Sequence, residues 1–272
     1  MEVRFFNGGY CRQLLALVDR RSWRWVKFQA VFLAVRHPVE GWVLIDTGYG
    51  GRFIEATRAW PYRLYRWATP ATTAGATRET LRQAGINPSE IRHVVITHFH
   101  ADHIGGLADF PHARVHFHAA AWPALARLKP FRQVHSAFLP KLVPAWLPGR
   151  SHVIAQDEFV LSTELPFPLH DLFGDGLIRL VFLPGHAPGH LGILLPAPDK
   201  SMLYATDAYW NWAQIGGAVD LIAPVRRLQW DARAYEQTVR QLREVAREGR
   251  YRLLACHAPE TQALVANAAA KA

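Results

Sequence analysis

Four hydrophobic, β-prone runs in this chain each lead directly into a side chain that can bind a metal ion, and this repetition narrows the possible folds more than any other feature. His93–Thr97 runs into His98, His100, Asp102 and His103; Ile178–Leu183 into His186; Ser201–Ala205 into Asp207; and Tyr251–Ala255 into His257. Turn-forming residues precede the last three runs: Gly174-Asp175-Gly176, Pro196 to Lys200, and Gly249. Strands are stiff, so four that end in ligands build one site only if their ends meet at a common edge of the sheet structure.

The first of these ends is the densest. Thr97-His98-Phe99-His100-Ala101-Asp102-His103-Ile104-Gly105-Gly106 holds three histidines and an aspartate in six positions. Neutral imidazole suits zinc and other borderline metals, and carboxylate adds harder oxygen donation. Four such side chains exceed what one tetrahedral ion accepts if ligands from other strands are to join them, so the spacing points to two metals side by side. The chain has 14 histidines, and His116 and His118 show the same His-x-His spacing. That pair alternates with Val115 and Phe117 and reads as the polar face of a half-buried strand. Asp102 and the Gly105-Gly106 pair set the first cluster apart, because they suit a tight ligand loop.

His98-Phe99-His100-Ala101-Asp102-His103 resembles the His-x-His-x-Asp-His signature of the metallo-β-lactamase fold hydrolases. Further landmarks of that family follow in order. Val43 to Gly48 resembles its early strand ending in Asp-Thr-Gly, and Leu183 to His190 its Pro-Gly-His-x-x-Gly-His segment. Tyr204 to Asp207 and Ala255 to His257 resemble its last two ligand strands. The resemblance runs from about residue 28 to residue 260 and implies an α/β fold, a four-layer αββα sandwich. It also implies a grouping of ligands. His98, His100 and His186 would hold one divalent cation, Asp102, His103 and His257 the other, and Asp207 would bridge. Zinc is the first choice, with iron, manganese and cobalt as alternatives. Two such ions about 3.5–4 Å apart would ionise a shared water into a bridging hydroxide. In this family Asp46 would orient a ligand imidazole, the alternative being a strand-end turn residue. His190 is expected to serve packing and hydrogen bonding. Cys256 is expected to be a buried structural thiol, since strand alternation points it away from His257; a soft ligand is the alternative.

Among the family's branches the chain resembles the N-acyl-homoserine lactonases most. Glyoxalase II enzymes carry a helical domain after the last ligand, whereas 15 residues follow His257 here. Flavodiiron proteins place Glu where this chain has His100. Secreted β-lactamases have leaders and usually lack the bridging Asp. The tRNA-processing nucleases add a gripping arm that is not identifiable here. The resemblance therefore implies a metal-dependent hydrolase in which hydroxide attacks a lactone or ester carbonyl and Asp102 passes a proton to the leaving alkoxide. The lactonases bind the carbonyl through a Tyr shortly after the bridging Asp. Tyr209 lies two residues beyond Asp207 and Trp210 three beyond; which of them takes that place stays open, and Tyr209 is the residue expected to assist one metal in stabilising the oxyanion. The alternatives are a phosphodiesterase or nuclease of the same fold, a glyoxalase II-like thioesterase, and a metal-bearing binding protein.

Half of the residues are hydrophobic and 272 residues can bury a sizeable core, so one domain spanning 1–272 is expected. Cys11 and Cys256 are the only cysteines, too few for a disulfide framework. Nothing at the start reads as a secretory leader, and no apolar stretch approaches the ~20 residues that span a bilayer, so a cytoplasmic location is expected. The net charge of +9 suits an anionic partner, yet no basic-aromatic nucleic-acid module is present, and an Arg-rich solvated surface is the simpler reading. The expected partner is a small hydrophobic ester or lactone. Helices are expected near Thr77–Ala84, Ala119–Leu128 and Asp231–Glu248, the last capped by Asp231 with Tyr235, Val239, Leu242 and Val245 on one face. Trp60–Trp67 and the Pro-punctuated Lys129–Arg150 either cover a site mouth or pack over helices. Trp23 and Trp25 on an early hairpin would reach the site rim. Together with Trp60 and Trp146 they suggest a substrate pocket with aromatic walls.

Overall fold

Strand Trp25–His37 serves two cores at once. Val31, Leu33 and Val35 point to one side and Ala30, Phe32 and Ala34 to the other, and all six are buried. A strand apolar on both faces must be covered on both. In this computed structural model, which describes Met1–Ala269, a second sheet covers one face and helices the other.

The first sheet comprises β1 (Glu2–Leu14), β2 (Trp25–His37), β3 (Gly41–Ile45), β4 (Ala71–Thr73), β5 (Ile91–Val95), β6 (Arg114–His118) and β7 (Ser151–Ile154), in the spatial order β4-β1-β2-β3-β5-β6-β7. The second comprises β8 (Val160–Leu161), β9 (Pro168–Asp171), β10 (Arg179–Phe182), β11 (Leu191–Leu195), β12 (Met202–Tyr204) and β13 (Arg252–Leu254), in the order β13-β12-β11-β10-β9-β8. Val31, Leu33, Val43 and Ile45 meet Leu180, Leu191, Ile193 and Tyr204 between the sheets. Phe32 and Leu44 pack under helices of the first outer layer with Phe53, Leu81 and Phe110. Val181, Leu194 and Leu203 pack under Leu242 and Val245 of helix Ala232–Glu248 on the other. The result is an αββα sandwich. Pairs β3/β5 and β12/β13 are parallel, so within each pair the C-terminal ends lie side by side.

Local chemistry explains the helix ends. Asp231 accepts from the N–H groups of Arg233 and Ala234, Gly249 closes the helix at φ 69°, and Tyr235, Val239, Leu242 and Val245 are all buried. The helix expected over Ala119–Leu128 is shorter, Ala121–Ala126. Its first two residues belong to the exit from β6: Ala119 N–H donates to the Ile154 carbonyl and Ala120 N–H to His118 Nδ1. The first strand continues through Gly8-Gly9 to Leu14, because these glycines form a register shift in the β1/β2 pair and do not end it.

His116 and His118 depart from the half-buried reading: each is 2% exposed. The face they occupy is roofed by the second sheet and by Phe173, whose ring lies 5.0 Å from that of His93. His93 Nδ1 is 2.9 Å from His116 Nε2, His116 Nδ1 is 3.0 Å from His152 Nδ1, and His93 Nε2 is 3.2 Å from Glu40 Oε2. His118 stacks on Phe182 and reaches Gln156 Oε1 at 3.0 Å. Burial, with the neighbouring His93 and His152, pushes His116 from 6.5 down to about 3. Between those values the unfolded chain binds a proton that the folded chain refuses, so stability falls as pH drops below about 6.5. By pH 5 this one residue is expected to cost about 2 kcal/mol. Thermal melts of metal-free wild type and His116→Gln across pH 5–7 check it: the wild-type curve should be the steeper, and parallel curves would contradict this account.

Candidate metal centre

The strand ends converge as the repetition requires. β5 delivers Thr97 and the loop beyond it, β12 delivers Thr206 and Asp207, and β13 delivers Cys256 and His257. From β10 the chain turns through Pro184-Gly185 to His186; Gly185 sits at φ 122° against the backbone of Tyr235, where a Cβ would overlap. Gly105 and Gly106 let the loop after His103 press against the Tyr49 carbonyl and the Thr77 hydroxyl.

Asp207 is at the centre. Its Oδ2 lies 3.2 Å from His257 Nε2, 3.5 Å from His103 Nε2, 3.5 Å from His186 Nε2 and 3.9 Å from His98 Nε2. Asp102 Oδ2 lies 3.4 Å from His257 Nε2 and 3.7 Å from His103 Nε2. His100 Nδ1 is 3.1 Å from His186 Nε2. Two groups result whose donor atoms lie within 4.8 Å of one another: His98, His100, His186 and Asp207, and His103, Asp207, Cys256 and His257. The structure thus brings together all seven side chains singled out in the sequence.

Three of the five rings are aimed inward by a bond to their opposite side. His103 Nδ1 donates to Asp46 Oδ2 at 2.7 Å, His186 Nδ1 to Gln229 Oε1 at 2.8 Å, and His257 Nδ1 to the Gln29 carbonyl at 2.7 Å. Asp46 also accepts from Thr97 N–H at 2.9 Å and from Thr97 Oγ1 at 2.8 Å. Asp46 and Thr206 both sit at positive φ, 60° and 49°. For a β-branched Thr that conformation is strained, and such strain concentrates at functional sites. No signal in the sequence singled out Gln229, which follows a short helix and belongs to no motif.

Burial and the neighbouring imidazoles hold His98 and His100 well below the usual histidine range, leaving them neutral, the form in which histidine binds metal. Burial works against the charge on His103 and on His257, but the surrounding carboxylates (Asp46 and Asp207 for His103, Asp207 for His257) outweigh it and raise both. Despite burial, His257 and His103 keep Asp207 ionised. The fit to cations rests on unsatisfied atoms. His98 Nε2, His103 Nε2 and Asp207 Oδ1 are buried with no hydrogen-bond partner among the described residues. Burying one such group unpaired is costly, and three facing one another is the arrangement that bound cations relieve.

His190 stands apart. Its Nδ1 donates to the Leu183 carbonyl at 2.9 Å and its Nε2 is 2.7 Å from Thr206 Oγ1, so both nitrogens are engaged. Cys256 is buried and donates to the Val31 carbonyl at 3.4 Å, yet its sulfur comes closer to the second group than strand alternation implies. Tyr209 requires a correction. Its ring is buried with Ile215, Leu242 and Ala255 on the far side of the second sheet, and its hydroxyl has no partner among the described residues. Trp210 faces the cavity instead, its ring 5.8 Å from that of His186.

That cavity, of about 400 Å³, opens over the cluster. Leu17, Val18, Phe28, Leu64, Val134 and Val225 give it apolar walls, and Tyr49 and Tyr65 place phenols in it. Both flagged segments border it, through Leu64 and Tyr65 and through Val134 to Ala137. Trp60 and Trp146 are not part of the wall, and Trp23 and Trp25 are 78% and 69% exposed outside it. Pro130–His135 and Leu147–Arg150 are short helices, as the spacing of prolines requires.

A family model described as the Metallo-beta-lactamase superfamily matches residues 25–248. A probable metallo-hydrolase of Mycobacterium tuberculosis (strain ATCC 25618 / H37Rv) is 31% identical over 228 residues, 80% of this chain and 67% of that protein. The N-acyl homoserine lactonase AttM of Rhizobium radiobacter is 26% identical over 179 residues, 59% of this chain and 61% of that protein. A crystal structure of a B. thuringiensis AiiA mutant, with N-decanoyl-L-homoserine bound at the active site, superposes with a TM-score of 0.72 at 16% identity, covering 96% of this chain and 94% of that one.

Proposed function

Because the chain belongs to the metallo-β-lactamase superfamily, we propose that it is a binuclear metal-dependent hydrolase that opens lactones or cleaves esters carrying a hydrophobic acyl group. The observation that carries this reading is a buried donor cluster, in which His98 Nε2, His103 Nε2 and Asp207 Oδ1 have no hydrogen-bond partner among the described residues, beneath an apolar cavity lined by the cluster's His100, Asp102, His186, Asp207 and His257. His98, His100 and His186 would hold one cation and Asp102, His103 and His257 the other, with Asp207 shared. Five imidazoles and two carboxylates suit zinc first, with iron, manganese and cobalt as alternatives. When bound, such a pair of ions lowers the pKa of a water and polarises a carbonyl oxygen.

The chain's own residues supply the rest. Asp46, Gln229 and the Gln29 carbonyl fix the ring orientations. Asp102, with its side chain 11% exposed against 3% for Asp207, is the carboxylate better placed to pass a proton to a leaving alkoxide. The aliphatic wall excludes water and receives the acyl chain. Burial and the Asp102 charge push Tyr49 and Tyr65 well above the usual phenol range, so both remain O–H donors. The AttM relative is named for acyl homoserine lactones, and that substrate class suits this cavity. Among the described residues the wall carries neither Lys nor Arg. A phosphodiester would enter without a cationic side chain to meet it, so despite the overall positive charge the cavity favours an uncharged carbonyl substrate.

The test is a panel of acyl lactones, carboxylic esters, thioesters and phosphodiesters with metal-loaded protein. Carbonyl substrates with apolar chains should turn over. Phosphodiester cleavage without carbonyl activity would overturn the proposal. In the same assay Tyr209→Phe should leave kcat and KM within about twofold and should not lower the Tm, since it removes a buried hydroxyl that bonds to nothing. A large fall in kcat would place the phenol at the substrate after all.

A further inference from the structure

The net positive charge of this protein is accounted for by three segments, and these three border the cavity mouth. Residues 14–25, 56–73 and 127–150 hold eleven Lys/Arg and one carboxylate, Asp19, leaving twenty Lys/Arg against twenty-one Asp/Glu in the rest of the chain. The first segment supplies Leu17 and Val18 to the cavity, the second Leu64 and Tyr65, and the third Val134 to Ala137. They are joined side by side: Gln13 Nε2 donates to the Ala68 carbonyl at 2.9 Å, and Tyr62 OH to Gln133 Oε1 at 2.6 Å.

The same segments carry exposed indoles. Trp23 is 78% exposed, Trp25 69%, Trp60 61% and Trp67 63%, and Phe131, 60% exposed, packs edge-on against Trp60 at 6.0 Å. Arg20, Arg24, Arg58, Arg63 and Arg132 are exposed among them. Apart from Arg21 on Asp19, none of these cations has a carboxylate partner among the described residues. Leaving four tryptophans in water is unfavourable, and a solvated charged surface gives no reason for it. Indole rings beside unpaired guanidinium groups match the boundary between lipid headgroups and acyl chains, where rings bury and cations meet anionic phosphates.

We propose that this rim is a docking surface for anionic phospholipid bilayers, seating the cavity mouth on the membrane so that an apolar substrate enters from the lipid phase. The association is peripheral: among the described residues no helix is long and apolar enough to cross a membrane. The docking itself is independent of the reaction assigned to the metal centre; the entry of an apolar substrate rests on that reading.

The test is sedimentation of the full chain with vesicles of phosphatidylcholine, with and without phosphatidylglycerol, at low and high salt, together with tryptophan emission. The protein should bind the anionic vesicles, release at high salt, and shift its emission to the blue on binding. The triple variant Arg24→Glu/Arg63→Glu/Arg132→Glu should bind on the order of 100-fold more weakly. Arg92→Glu/Arg114→Glu, at the opposite ends of β5 and β6, should bind as wild type, which also controls for a general loss of positive charge. Circular dichroism melts check that all variants fold. No binding to anionic vesicles overturns the proposal, as does equal loss in the two variants. A wild-type dimer that the triple variant dissociates would assign the rim to a second copy, and nucleic acid bound in preference to vesicles would assign it to a polyanion; either result also overturns it.

Discussion

Asp207→Ala is expected to abolish binding of at least one of two metal equivalents and to lower kcat by about 10³-fold or more. The geometry makes this the most damaging single substitution. One carboxylate oxygen lies within 3.9 Å of imidazole nitrogens from four different histidines, and Asp207 belongs to both donor groups. Removing it takes a ligand from each group and leaves His98, His100 and His186 facing one another without the carboxylate of their group, while His103 and His257 keep only Asp102. Asp207→Asn keeps the volume and separates lost charge from lost packing. Metal content by elemental analysis reads the effect independently of any substrate. Two tightly held ions in both variants would show that Asp207 does not bridge, and the grouping proposed here would then fail.

Asp46→Ala is expected to cost about 3–5 kcal/mol of stability in the metal-free protein and to weaken metal binding 10- to 100-fold. Asp46 is 1% exposed and receives three hydrogen bonds, from Thr97 N–H, Thr97 Oγ1 and His103 Nδ1. Alanine leaves the Thr97 N–H and the His103 Nδ1–H buried and unpaired, and the Thr97 hydroxyl with only His98 Nδ1 at 3.2 Å. It also frees the His103 ring, whose Nε2 faces the cluster. Asp46→Asn should be milder in stability yet still impair metal binding, because its amide cannot serve both Thr97 and the His103 N–H as a carboxylate does. Chemical denaturation of metal-free protein and metal titration with a competing chelator separate the two effects. A metal affinity equal to wild type in Asp46→Ala would reduce Asp46 to a turn residue, the alternative its sequence position also allowed.

Much of this was legible from residue order because the relevant forces act between near neighbours. Asp231, the periodic Tyr235, Val239, Leu242 and Val245, and Gly249 specify one amphipathic helix, and the chain builds it there. Apolar runs ending in His or Asp predict strands with ligands at their ends, and a rigid strand delivers its terminal residue wherever the sheet edge lies. Other features were not legible. Trp60 and Trp146 looked like pocket walls by composition, but Leu64 and Val134, ordinary aliphatics of the same segments, line the cavity. Gln229 carried no signal, because its role arises only where its helix end meets His186.

The residue order by itself determined the candidate donors and the strands that lead into them, because both depend on chemistry within a few positions along the chain; the grouping of those donors around Asp207 was implied only by the family resemblance. Tertiary structure alone decided which face each side chain meets. Thr206 at φ 49° breaks strand alternation just before the cluster, so no count of positions could tell that Tyr209 turns into the core and Trp210 towards the cavity. Likewise His116 alternates as a surface residue would, and only the second sheet, folded from residues more than forty positions later, removes it from water.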